Sequence, residues 1–287
     1  MEVRAEKFDH RIERHLDALK RLPFSYFSLP MYLDEHAYLV EHNCEDLIVV
    51  PNDDSPHVLQ LLFVPHQQSN LAHTAIRFVT EAERRAFPCK TEILFEKQTV
   101  TEFIFRTSDF VHPIGDLAKK IRSFVSKHKY TVKHSYPRQE IERFYKAWKL
   151  QRDWDLSWLE ESERSFFFQL DRLDELNIKQ VYVEVDGTLA GFAWGVSHPS
   201  GNWVGLHMKV LYQYRDLSRF LHRERAKMFE GSEFFSLGTA SAEEGMGRFK
   251  HELGPIEERK YFFLLLGDKK RLSRCDKINI HEKDGGS

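Results

Sequence analysis

Val181, Val183 and Val185 alternate with polar and aromatic residues up to Asp186-Gly187, and an apolar run over 189–196 follows at once. Two short runs joined by Asp-Gly leave the backbone little choice. Both central residues of a type I′ turn need positive φ, which Asp and Gly tolerate, so the chain doubles back as a hairpin. The segments after it fall into order behind this antiparallel pair. Residues 203–211 read as the next strand, with Val204, Leu206, Met208 and Val210 on one face and Trp203, Gly205, His207 and Lys209 on the other. Residues 215–229 carry Leu217, Phe220, Leu221 and Met228 at helical spacing, with Gly231 as a cap. A strand over 233–237, a helix over 242–253 that stops at Gly254-Pro255, and a strand over 260–266 complete an α/β order.

The N-terminal half is less sharply marked. Residues 9–22 read as a helix with Ile12, Leu16 and Leu19 inward, ended by Pro23, and 24–39 has room for another. Apolar runs over 47–50 and 58–64 bracket a turn-forming stretch from Pro51 to Pro56. Residues 70–87 read as a helix with Leu71, Ile76 and Val79 inward, and 92–95 and 102–105 as two strands. A connecting helix over 115–129 places Leu117, Ile121, Phe124 and Val125 on one face. Ile141, Phe144, Tyr145 and Trp148 repeat at i, i+3, i+4 and i+7, a strong amphipathic helix, and a further helix covers 160–176. The expected organisation is an N-terminal lobe over 1–112, a basic connecting helix over 113–136, a C-terminal lobe over 137–267 that holds the active cleft, and a polar tail over 268–287.

Composition excludes several classes. The chain has 287 residues, 41% hydrophobic and 30% charged, and no run approaches the roughly 18 apolar residues of a membrane helix. The start is polar and charged (Glu2, Arg4, Glu6, Lys7), unlike a secretory signal. Cys44, Cys89 and Cys275 form no close pair, which points to a reducing compartment, the cytoplasm, and to no metal site. The net charge of −2 means that nucleic acid would have to be met by a local patch. One exists: Lys119, Lys120, Arg122, Lys127, Lys129, Lys133 and Arg138 follow one another with no acid between Leu117 and Gln139, and Tyr130 and Tyr136 are interleaved. Such a stretch tracks an RNA backbone or is a solvated helix face.

Two segments carry a resemblance. Phe234-Phe235-Ser236-Leu237-Gly238-Thr239-Ala240, followed by Arg248-Phe249-Lys250-His251-Glu252-Leu253-Gly254-Pro255, resembles the C-terminal signature of phosphatidylglycerol lysyltransferases and their soluble, Fem-type aminoacyltransferase-like relatives. Glu102-Phe103-Ile104-Phe105, leading to Gly115-Asp116-Leu117-Ala118-Lys119-Lys120-Ile121-Arg122, is similar to the segment opening the second lobe in a related bacterial domain family of unknown function. The chain departs from the lysyltransferase pattern at Thr239-Ala240-Ser241, where that pattern has Ala-Pro. The resemblance implies two GNAT-like lobes, a tandem acyl-CoA N-acyltransferase-type fold with mixed sheets flanked by helices. It also implies that the parallel strands 203–211 and 233–238 splay apart around the acyl donor. It implies aminoacyl transfer with aminoacyl-tRNA as co-substrate, no further cofactor, and a small-molecule, peptide or lipid-headgroup acceptor.

Candidate site residues follow. Lys250 matches the lysine of the family's Arg-aromatic-Lys motif, and a cation there stabilises an oxyanion; the alternative is a solvated helix lysine at the border of a face made by Met246, Phe249 and Leu253. His207 is a candidate general base, or a histidine bonded to a neighbouring strand. Lys209, Thr239 and Arg248 are candidate substrate contacts. Asp216 and Glu244 are candidates to hold an α-amino group, or are ordinary helix N-terminal acids. Lys119, Lys120, Arg122 and Lys127 are the candidate RNA contacts. The turn Tyr212-Gln213-Tyr214-Arg215-Asp216-Leu217-Ser218 lacks the glycines that hold a pyrophosphate, and Asp216 adds negative charge. That disfavours acetyl-CoA and other acyl-CoA donors. A coenzyme A-dependent N-acyltransferase and a non-catalytic RNA- or protein-binding module of the same fold are the alternatives.

Overall fold

The computed structural model describes residues 5–42, 45–51, 59–64, 74–86, 92–151, 156–240 and 245–267. In chain order these form β1 (Ala5–Lys7), α1 (Glu13–Lys20), a 3₁₀ turn (Tyr26–Ser28), α2 (Pro30–His36), β2 (Tyr38–His42), β3 (Glu45–Pro51), β4 (Leu59–Phe63), β5 (Ala75–Thr80) and α3 (Glu81–Ala86). Then come β6 (Glu92–Arg106), α4 (Thr107–Val111), α5 (Gly115–Lys127), β7 (Tyr130–Lys133), α6 (Arg138–Lys149) and α7 (Leu156–Leu170). The chain closes with β8 (Lys179–Val185), β9 (Thr188–Ser197), β10 (Trp203–Val210), α8 (Leu217–Lys227), β11 (Phe234–Ala240), α9 (Gly245–Glu252) and β12 (Glu257–Gly267).

Two compact units result. One comprises the described residues of Met1–Phe8, His36–Thr99 and Lys260–Ser287, the other Asp9–Glu35 and Val100–Arg259. In the first unit the strand order is β1-β2-β3-β4-β5-β12, antiparallel except for β4 beside β5. Its core gathers Val40, Val49, Leu61, Ile76, Val79 and Leu264. The helix expected over 70–87 is corrected here. Residues 70–73 and 87 lie outside the described residues, and Ala75–Thr80 is a strand whose Ile76 pairs with both Leu61 and Leu264. The segment Ile76-Arg77-Phe78-Val79-Thr80 is rich in β-branched and aromatic residues, and pairing on both edges overrides the helical spacing of Ile76 and Val79. The strands expected over 92–95 and 102–105 are one strand of 15 residues, β6.

The second unit carries the strand order β6-β11-β10-β9-β8-β7, in which only β10 and β11 run parallel. Asp186 and Gly187 have φ of 51° and 79°, as the hairpin requires. β7 was not expected: Tyr130-Thr131-Val132 pairs with β8 instead of continuing as a connector. On one face, α6 presents Ile141, Phe144, Tyr145 and Trp148 to Phe192 and Trp194 of the sheet, as its spacing predicts. On the other, Ile121 and Phe124 of α5 meet Phe220 and Leu221 of α8 over the valines of β8. Trp203 stacks between Phe229 at 4.6 Å and Phe235 at 4.2 Å, all buried. Each such aromatic contributes roughly 1.5–3 kcal/mol of burial. α1 is shorter than expected, and its inward residues are His15, Ala18 and Leu19; Ile12 precedes the helix and is exposed.

Candidate functional site in the gap between β10 and β11

The parallel ladder between β10 and β11 holds only Trp203 against Phe235 and Val204 against Ser236. Immediately beyond, both strands bulge. On β10 the pairing with β9 passes from Gly205–Gly195 to Met208–Ala193, so Leu206 and His207 together oppose Trp194. On β11 the pairing with β6 passes from Ser236–Ile104 to Thr239–Glu102, so Leu237 and Gly238 together oppose Phe103, with Gly238 at φ +68°. A bulge bends its strand and increases its twist. Two bulges at the same level, one on each strand, account for the divergence after Val204 and Ser236. This is the splay expected between 203–211 and 233–238. It also corrects the expected faces of β10. Val204 and Leu206 belong to the core under α6, while Met208 and Val210 belong to the opposite core under α8, because the extra residue reverses the alternation.

Each bulge frees backbone carbonyls, and a long buried cation takes them. Arg225 of α8 is 1% exposed and donates from Nη1 to the carbonyl of Trp194 at 2.9 Å, the residue opposite the β10 bulge. Its Nη2 donates to His222 Nδ1 at 3.0 Å, which places the proton of neutral His222 on Nε2. A Cβ on Gly205 would lie 2.7 Å from Arg225 Nη2, so any larger residue there would have to displace the hydrogen-bonded guanidinium. Lys250 of α9 is 7% exposed and donates from Nζ to the carbonyls of Leu237 at 2.7 Å and Thr239 at 3.0 Å, the two sides of Gly238. The expected border position is thus corrected: Gly247 and Lys250 are the buried residues of α9, and Met246 is exposed. The carbonyl pair, which an apolar residue would leave unsatisfied, draws the lysine inward.

Burial lowers the Lys250 ammonium to about 7 and the Arg225 guanidinium to about 9; Glu102 pulls Lys250 up and Arg225 pushes it down. His222 is held well below its usual value by burial, then by Arg225. Glu102, fully buried, accepts from Ser25 Oγ at 2.9 Å, the Tyr26 N–H at 2.7 Å and Ser236 Oγ at 2.5 Å. Sequence reasoning missed Glu102, His222 and Arg225. The available signal was the presence of an acid, a histidine and an arginine among otherwise apolar inward positions.

His207 and Lys209 lie on the other side of β10. The His207 ring packs edge-on against Phe166 and Trp194, and its Nε2 is buried with no hydrogen-bond partner among the described residues. Burial, then the neighbouring Lys209, lowers it to about 3. Lys209 is 7% exposed, with Nζ 4.1 Å from the centre of the Trp148 ring. Asp216 sits at the N-cap of α8 in the left-handed region, φ 67°, 3.8 Å from Arg219 Nη1. A left-handed non-glycine residue is strained by about 1–3 kcal/mol. Arg248 is exposed and, with Phe103, Gly247, His251, Glu252 and Glu258, lines a cavity of about 380 Å³. Glu244 lies outside the described residues. In the basic stretch, Lys120 pairs with Asp116 at 2.7 Å, Lys133 with Glu184 at 2.5 Å and Arg138 with Asp171 at 2.6 Å. Lys119, Arg122 and Lys127 are exposed. No helix among the described residues is long and apolar enough to cross a membrane.

No protein-family model and no curated protein matches the sequence. Solved structures do match in fold. A conserved protein of unknown function from Bacteroides thetaiotaomicron VPI-5482 superposes with a TM-score of 0.66 at 13% identity, over 91% of this chain and 92% of its own. L-PGS from Bacillus licheniformis gives 0.58 at 12% identity over 94% of each chain. FemX gives 0.58 at 12% identity, over 95% of this chain and 99% of its own. The fold is that of the tandem GNAT and Fem-type proteins, a mixed α/β arrangement.

Proposed function

We propose that the chain is an acyltransferase, and most specifically an aminoacyltransferase that takes its acyl group from charged tRNA. The observation that carries the reading is the gap between β10 and β11, opened by paired bulges and edged by a buried cation on each side. The reading places the ester where the two strands part, and the Leu237 and Thr239 carbonyls occupy two of the three N–H donors of protonated Lys250. The third is the group we assign to the ester oxygen as negative charge develops on it during attack by the acceptor. The acceptor attacks the ester directly, its nitrogen or oxygen forming the new acyl bond while the tRNA hydroxyl leaves, with no covalent enzyme intermediate. Holding donor and acceptor together supplies the remainder of the rate. Lys119, Arg122 and Lys127 are assigned to the tRNA backbone. The likeness in fold to L-PGS and FemX supports the aminoacyl form of the reading, and the acidic, glycine-free turn at Asp216 supports tRNA over coenzyme A as donor.

The test is transfer itself. The purified chain is incubated with a mixed pool of tRNAs charged with labelled amino acids and with a small-molecule, peptide and lipid extract. Label leaving the tRNA into an amide or ester product, faster than without protein and at least about 100-fold slower with Lys250→Met, supports the reading. Transfer from labelled acetyl-CoA under the same conditions, with none from tRNA, replaces it with the coenzyme A alternative.

A further inference from the structure

We propose that Arg225 and Lys250 are a pair of props that hold the gap open, Arg225 on the β10 side and Lys250 on the β11 side, and that Arg225 is thereby a positioning residue for the acyl donor. Only the identity of what fills the gap rests on the acyl-transfer reading; the propping stands on geometry alone. A parallel pair that begins with two registered residues ordinarily continues, because every further residue adds ladder hydrogen bonds. Here it stops at Val204 and Ser236. The next residue on β10 is Gly205, and the Arg225 guanidinium lies against it so closely that a side chain there would have to displace it. The guanidinium is fixed at both ends, by the Trp194 carbonyl and by His222 Nδ1. His222 is itself held between the rings of Phe110 at 5.9 Å and Phe249 at 6.0 Å. Across the gap, Lys250 Nζ binds the carbonyls on either side of the β11 bulge.

Both cations are buried, and each is of the same sign. Arg225 pushes the Lys250 ammonium down, and the Glu102 carboxylate pulls it up by more. The buried Glu102 carboxylate, which accepts from Ser25, Tyr26 and Ser236 and lies 4.0 Å from Arg259 Nη1, offsets part of that charge. Closing β10 onto β11 would have to return both bulges to register at once and displace two buried cations from the carbonyls they bind.

Hydrogen exchange of backbone amides in the full chain separates a prop from a space-filling side chain. Arg225→Met removes the charge and both hydrogen bonds; Arg225→Gln removes the charge and shortens the side chain, keeping a single amide donor in place of the two-ended guanidinium. The expected result is a rise of about tenfold or more in protection for amides over 205–207 and 237–239, relative to Trp203, as the ladder extends past Val204 and Ser236. A residue that merely fills space yields the opposite: protection that is unchanged, or that falls in step with global stability, in both variants, and either result overturns the proposal. Where the wild-type chain transfers an aminoacyl group, Arg225→Gln should raise KM for the donor at least about tenfold more than it lowers kcat, since it narrows the gap without touching the reacting atoms. If the wild type transfers nothing, the acyl reading fails while the exchange result still decides the propping.

Discussion

Replacing Lys250 by Met tests the site through stability rather than activity. The lysine's ordinary value of 10.5 falls to about 7 in the folded chain, chiefly because its ammonium is buried. Between those two values the unfolded chain carries a proton there that the folded chain has lost, so unfolding takes up a proton and stability rises with pH. Each unit is worth about 1.4 kcal/mol, so the burial costs about 4 kcal/mol near pH 7 and about 2 kcal/mol near pH 9. A neutral amine still has two N–H groups, enough for the carbonyls of Leu237 and Thr239. The gain of about 2 kcal/mol on going from about pH 7 to about pH 9 is thus a property of this one side chain. Lys250→Met removes the titrating group, and its stability should lack that share of the rise. Urea unfolding of both proteins at both pH values, followed by tryptophan fluorescence, isolates the effect, because every other group cancels in the difference of differences. Equal rises in the two proteins, within about 0.5 kcal/mol, would show that the Lys250 ammonium is hydrated and not buried against β11.

Further outcomes follow from single features. Trp203→Ala should cost about 3–5 kcal/mol in urea unfolding, since it removes the centre of a buried three-ring stack, whereas Phe249→Ala, half-buried in α9, should cost less than half as much. Calorimetry with acetyl-CoA should detect only weak binding, given Asp216 at the α8 N-terminus; a dissociation constant in the low micromolar range would promote the coenzyme A alternative. Charge reversal at Lys119, Arg122 and Lys127 should weaken tRNA binding and flatten its salt dependence by about 0.9 of a log unit per lost phosphate contact, with circular dichroism confirming the fold. Lys120→Glu should do less, because Lys120 is already paired with Asp116; an affinity unchanged by the triple reversal would remove this helix from the RNA reading.

The sequence was most informative where local chemistry and tertiary pairing agree. Asp186-Gly187 sets the β8–β9 turn, and the spacing of Ile141, Phe144, Tyr145 and Trp148 identifies both α6 and its buried face. It misled where pairing decides. Residues 75–80 carry apolar positions compatible with either period, and only the neighbours β4 and β12 select the strand. The site was legible in outline, as a parallel pair that splays, but not in its working parts. A bulge leaves no periodic trace, so Met208 and Val210 could not be assigned to the face opposite Val204. The inward turn of Lys250 depends on two carbonyls that the β11 bulge exposes, and no property of α9 alone reports them. Arg225 reads as one of several charges on an amphipathic helix until Gly205, far away in sequence, is seen to make room for it.

His207 and Lys250 raise a question of division of labour, since one is a residue of β10 and the other binds the carbonyls of β11. A general base works best with a value near the operating pH. His207, lowered to about 3 by burial and by Lys209, stays neutral across the physiological range and holds a proton only weakly. In the proposed transfer an attacking amine would gain little by giving its proton to such a group, whereas the departing oxygen of a charged tRNA would be a far stronger base at the moment the ester breaks. On that proposal the proton passes from acceptor to leaving group, and the ring of His207 packs against Phe166 and Trp194 without taking it. His207→Phe should then keep the transfer rate within about threefold of wild type, and the pH profile should be governed by Lys250, with the rate falling as pH rises through about 7 and the third N–H is lost. A loss of about 100-fold or more in His207→Phe, with melting temperature unchanged, would assign the base to His207 and refute this division.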